Sequence, residues 1–162
     1  MVEGAALEKL YGSKAHRGFE SHLFRQKIFD KVMIEKSAGI IIEDNRLLLV
    51  SGGNNHFYWL PGGKLEAGET PEDALKRELK EELDVELLSF KPYITYVSDQ
   101  EEDGTIRKVY AYITKYSGEI KNQAEIDRIA WLSKEDFSEG KIPLQSGVKT
   151  HLIPKLIADG LL

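Results

Sequence analysis

Residues 70–83 constrain the fold more than any other stretch of this chain. Thr70 suits a helix N-cap, Pro71 suits the first helical position, and Glu72 and Asp73 favour the positive end of the helix dipole. Leu75, Leu79 and Leu83 follow at i, i+4 and i+8, so one side of the helix must be buried. On an adjacent face the same helix carries Glu78, Glu81 and Glu82, spaced so that Glu78 neighbours both of the others. Like charges at this spacing each cost about a few tenths of a kcal/mol in water. Whatever fold forms must therefore pack a leucine stripe on one side and tolerate, or neutralise, a carboxylate cluster on the other.

The rest of the chain reads mainly as strands. Residues 37–42 and 46–50 are short β-branched or apolar runs joined by the polar turn Glu43-Asp44-Asn45. A Gly/Asn loop at 51–55 leads to a short aromatic strand at 57–60, and Pro61-Gly62-Gly63 then predicts a sharp turn. Residues 85–97 and 105–116 predict a hairpin with an acidic connection at 98–104, and 126–132 a further strand. Ser133 opens a short turn or helix, and 148–161 reads as a closing helix with Pro154 near its start. Neither a strict strand–helix alternation nor a repeat is visible, which favours α+β. At 162 residues the chain fits one domain with a real core.

Composition narrows the function classes. A net charge of −5 argues against a general nucleic-acid-polymer surface, and the absence of cysteine excludes disulfides, thiolate metal sites and a cysteine nucleophile. No apolar run is long enough to cross a bilayer and no signal-peptide core opens the chain. The expectation is a cytoplasmic protein without a membrane partner, monomeric or homodimeric, acting on a small molecule.

Residues 1–32 fit the remainder poorly. Gly18-Phe19-Glu20-Ser21 back-translates to a string resembling the T-arm of a transfer-RNA gene, and Met33 stands just before the first strand read from the sequence. One reading makes 1–32 an N-terminal extension from an over-extended reading frame, with the natural start at Met33. The other is a genuine helix with Leu7, Leu10 and Tyr11 on one face. Abundant native peptides from 1–32 would overturn the first.

Taken alone, Glu78, Glu81 and Glu82 fit a solvated acidic helix face as readily as a site. The preceding loop shifts the balance. A Gly-Gly pair lets the backbone approach a ligand closely, and Glu69 adds a fourth carboxylate before the helix. Hard oxygen donors at this density suit Mg2+, with Mn2+ as the alternative, together with phosphate oxygens. Gly63, Glu69, Arg77, Glu78, Leu79, Glu81, Glu82 and Val85 together resemble the signature of the Nudix hydrolases. One position departs: Asp84 stands where the family usually has glycine. Asp tolerates the left-handed conformation of a helix end better than most residues, so the departure is compatible with activity. The wider resemblance, MutT-like, runs from about Met33 onward and includes Trp59-Leu60-Pro61-Gly62-Gly63 and Ala130-Trp131-Leu132.

The resemblance implies a Nudix-type α/β/α sandwich with a mixed β-sheet over residues 33–162. It implies magnesium-dependent hydrolysis of a nucleoside diphosphate linked to another moiety. On this chain it makes Glu78, Glu81 and Glu82 the metal carboxylates, with the Gly62 carbonyl as a further ligand. Glu78 is the first candidate for general base, and Glu101, Glu102 and Glu125 are the alternatives. Glu69 and Arg77 support the loop and the helix. Lys64 is a candidate phosphate contact and Phe57 and Tyr58 are candidate base contacts, while Trp131 reads as core.

Substrate is less determined. ADP-ribose members commonly carry a proline about fifteen residues past the signature, where this chain has Asp99-Gln100-Glu101-Glu102. Diadenosine polyphosphate members often have a tyrosine slightly further on, and 100–104 has none. The remainder favours a MutT-like enzyme splitting a nucleoside triphosphate into monophosphate and pyrophosphate, with ADP-ribose or another nucleotide sugar as the alternative. A rival of another class is a nucleotide-binding regulatory module without hydrolysis, which would be expected to lose the metal carboxylates. Isomerases resembling this family rely on a cysteine, which is absent.

Overall fold

The computed structural model describes residues 33–98 and 105–162. The expectations for residues 1–32 and the candidate bases Glu101 and Glu102 lie outside the described residues.

The chain opens with β1 (Met33–Ile40), β2 (Ile42–Glu43) and β3 (Arg46–Gly52). Ile42 pairs with Leu47 and Glu43 with Arg46, leaving a two-residue turn of Asp44 and Asn45 with φ of 46° and 57°. Left-handed residues at both positions match the right-handed twist of the flanking strands, and Asp and Asn tolerate that geometry. Then come β4 (Gly62–Lys64), helix α1 (Pro71–Leu83), β5 (Glu86–Val97), β6 (Ile106–Ser117) and β7 (Ile126–Leu132). A short α2 (Lys134–Ser138) is closed by a capping box between Ser133 and Asp136. A π-helical turn (Val148–Leu152) runs directly into α3 (Ile153–Ala158).

The strands form a four-stranded sheet in the order β4-β1-β6-β5 and a three-stranded sheet in the order β2-β3-β7. Parallel pairing of β1 with β6 makes the first sheet mixed, since β4 and β5 pair antiparallel to their neighbours. Helices cover both sides. Leu47 and Leu49 join Leu152, Ile153 and Leu156 in one core cluster, whereas Leu48 and Val50 join Leu75, Leu79 and Leu83 in a second. Strand β3 is thus buried on both faces, which explains its unbroken apolar run. The fold is an α+β sandwich with a mixed sheet, and no helix among the described residues is long and apolar enough to cross a membrane.

Three local expectations need correction. Gly62 and Gly63 do not reverse the chain; they extend it as β4 against β1, with Ser37 opposite Gly63 and Ala38 opposite Gly62. A Cβ on Gly62, at φ 134°, would lie 2.2 Å from the Ser37 carbonyl oxygen, so glycine here serves close approach of two backbones. Residues 57–60 form no full strand, only single bridges from Trp59 to Val50 and from Tyr58 to Leu144. The closing helix begins with a wide turn in which the Ile153 N–H donates to the Val148 carbonyl, and it ends at Ala158. Pro154 has no N–H to donate, and its ring crowds the carbonyl four residues back, so the turn before it widens.

Candidate active site

Helix α1 is fixed at both ends. The Thr70 hydroxyl accepts the Asp73 N–H at 3.2 Å, and Leu75, Leu79 and Leu83 are fully buried. At the C-terminus Asp84 takes the left-handed conformation (φ 57°, ψ 30°), its N–H donating to the Lys80 carbonyl at 3.1 Å. Lys80 and Lys121 face its carboxylate at 2.9 and 3.4 Å. Asp84 therefore fills the glycine position with the geometry that position demands.

This anchoring aims the acidic face at β4. The Gly62 N–H donates to Glu82 Oε2 at 2.7 Å, and only 3% of Glu82 is exposed. Burial pushes the Glu82 carboxyl up to about 8; the nearby Glu78 and Glu125 push the same way, while the Gly62 N–H and Lys36 oppose them. Glu78 fills the space beside Gly63, where a Cβ would lie 2.0 Å from its Oε1. Burial raises its pKa as well, against the pull of Arg77. Glu81 is about half exposed.

Arg77 braces the cluster. Its Nε and Nη2 grip the two oxygens of Glu69, each at 2.9 Å, and Nη2 also reaches the Lys64 carbonyl at 3.0 Å. Its Nη1 donates to Glu78 at 2.8 Å and to Glu81 at 3.2 Å. This two-pronged bond and the Glu66 N–H hold the Glu69 carboxyl down at about 2. Glu69 therefore ties the loop to the helix through Arg77. Among the described residues no three acidic or imidazole side chains are grouped so that they could hold a metal ion. The cluster's carboxylates are engaged instead by Arg77 and by the Gly62 N–H. Its oxygen donors and its buried carboxylate are of the chemical type that suits a hard divalent cation.

One residue at the site escaped the sequence reading. Lys36 lies in β1 opposite Lys64, one residue before the stretch assigned as a strand from sequence. Together with Trp59, Gly62, Tyr96 and Gln145 it lines a narrow cleft on the far side of β4 from the leucine stripe. The Tyr96 ring is stacked on His151, with centroids 5.5 Å apart. Burial pushes the Lys36 ammonium down, while Glu82, Glu78 and Glu125 hold it up. The signal available in the sequence was a single lysine entering a run of buried residues.

Other candidates fall in different places. Trp59 lines the cleft, but Phe57 and Tyr58 do not. Phe57 packs edge-on against Trp59 at 5.9 Å, while Tyr58 packs on the first core cluster beneath Arg128. Lys64 borders a separate shallow depression with Glu66 and Glu69. Glu125 is exposed just before β7 and is near enough to Lys36 and Glu82 to act on both through its charge. Trp131 packs against the second core cluster.

A mixed sheet between helices, with an acidic helix face held against a glycine strand, defines a class of phosphoanhydride hydrolases. The NUDIX domain model matches residues 33–155, and the chain belongs to that family. It is 31% identical over 144 residues to an ADP-ribose pyrophosphatase of Methanocaldococcus jannaschii, covering 83% of each chain. It is 42% identical over 69 residues to an 8-oxo-dGTP diphosphatase of Haemophilus influenzae, covering 40% of this chain and 51% of that one. Among solved structures, the E. coli ORF135 protein superposes with a TM-score of 0.63 at 27% identity, over 80% of this chain and 94% of that one. The chain is a Nudix hydrolase acting on phosphoanhydride bonds.

Proposed function

We propose that this hydrolase uses a divalent cation of the magnesium type to split a nucleoside triphosphate into monophosphate and pyrophosphate, with Glu78, Glu81 and Glu82 holding the cation. The observation that carries the reading is the carboxylate of Glu82 buried beside β4 with the partly buried Glu78 next to it, a placement whose cost a cation would repay. When bound, such a cation neutralises phosphate charge and activates water.

The chain's own groups do the rest. Glu78, with its raised pKa, accepts a proton from the attacking water as the new P–O bond forms and the bridging P–O bond breaks. Glu125, whose charge acts on Glu82, is retained as an alternative base together with Glu101 and Glu102. Arg77 and Glu69 fix the loop so that the carboxylates meet the phosphates in one geometry.

A second reading, ADP-ribose hydrolysis, draws support from the similarity to the Methanocaldococcus pyrophosphatase. Incubation with Mg2+ and each nucleoside triphosphate, oxidised or not, alongside ADP-ribose, separates the two by products. Monophosphate plus pyrophosphate is the expected outcome. AMP plus ribose 5-phosphate would transfer the assignment to the second reading, and no turnover of any of them would overturn both.

A further inference from the structure

Residues 36, 38 and 40 of β1 share one side of the strand. Ala38 and Ile40 spend that side in the first core cluster, but Lys36 carries an ammonium into the cleft beside Gly62. Among the described residues, that ammonium makes no ion pair within 4.0 Å and no hydrogen bond. Its interactions with Glu82, Glu78 and Glu125 act at longer range only. Lys36 is only partly buried, and its ammonium, with three donors, opens to solvent in the cleft. Among the described residues none accepts a hydrogen bond from them. Lys36 thus stands where the carboxylate cluster, on one side of β4, meets the Trp59 and Tyr96 rings on the other. Once the carboxylates are neutralised, this junction carries net positive charge.

We infer that Lys36 is a substrate-binding residue whose ammonium takes a phosphate oxygen of the substrate at the junction of the carboxylate cluster and the aromatic cleft. The inference rests on the hydrolase reading above and deepens it, adding an anion contact on β1 to the acidic helix. An aliphatic side chain of similar length would fill the strand position equally well, so packing alone does not call for a charge there.

The test exploits the sign of the charge. Wild type, Lys36→Met and Lys36→Arg are titrated with Mn2+ followed by electron paramagnetic resonance. They are then titrated with pyrophosphate at saturating Mn2+ by calorimetry. Lys36→Met is expected to weaken pyrophosphate binding by about tenfold or more while tightening Mn2+ binding, because a cation has left the neighbourhood of the carboxylates. Lys36→Arg is expected to stay near wild type in both. A distorted site would weaken both ligands together, and that result overturns the inference. So does pyrophosphate binding that is unchanged in Lys36→Met or absent in wild type. None of these outcomes touches the hydrolase reading, which stands or falls on turnover in the substrate screen.

Discussion

Glu82 concentrates the energetic tension of the site. Its folded-state pKa of about 8 lies above the 4.5 of an unperturbed glutamate, so the metal-free folded protein holds a proton there that the unfolded chain releases. The group's stabilising contribution is full below about pH 4.5 and is lost as pH rises towards 8. Metal-free wild type is therefore expected to lose thermal stability over that window. Glu82→Gln, which cannot ionise, should show a flatter profile, as melting curves at several pH values would reveal. Arg77 poses a different problem: its planar fork holds both oxygens of Glu69 and the Lys64 carbonyl at once. Lysine cannot reproduce that geometry. Arg77→Lys is expected to lower kcat/KM by roughly tenfold or more, measured on whichever substrate the screen identifies. The two-pronged bond between Arg77 and Glu69 is a finding of the structure; the support they give to loop and helix was legible only through the family resemblance. Lys36 was not, because nothing in a lone lysine says which way a strand will face it.

Helix α1 was the most legible element, since cap, stripe and acidic face agree on one set of boundaries, 71–83. Leu79 sits beneath β1, with its methyl groups 3.2 and 3.3 Å from where a Cβ on Gly39 would be. Leu79→Ala should therefore cost about 2–5 kcal/mol of folding free energy, read from urea denaturation. At the end of the helix, Asp84 occupies left-handed space. Asp84→Gly is expected to leave the melting temperature unchanged or raise it, whereas Asp84→Val should lower it, because a β-branched residue resists that conformation. Strand β4 was misread as a turn. Pro-Gly-Gly carries the local signal of a reversal, and only the pairing with β1 twenty-odd residues earlier makes it extended. The π-helical turn before α3 was likewise hidden: Pro154 marks a disturbance in the helix without saying whether the chain kinks, stops or widens.

At the scale of the molecule, a run of strands with one helix inserted and another at the end, and no strict alternation, was enough to give an α+β class. The order β4-β1-β6-β5, with β1 and β6 parallel, was not readable from the strands themselves, because pairing between distant segments leaves no local mark. That topology is what brings Lys36 of β1, Gly62 of β4 and Glu82 of α1 to one edge of the sheet. It also explains why a signature of 23 residues (63–85) could point to the chemistry while the cleft beside it stayed out of view. On the function proposed above, this edge is a cation-dependent hydrolytic centre. The most direct measurement is turnover against Mg2+ concentration, with and without EDTA, in wild type and in Glu82→Gln, with monophosphate release as the readout. The expected result is activity in wild type that rises with Mg2+ and vanishes in EDTA, and a loss of about a hundredfold or more in Glu82→Gln despite a folded protein. Turnover by wild type that persists in EDTA, or equal turnover by the two proteins, would contradict it.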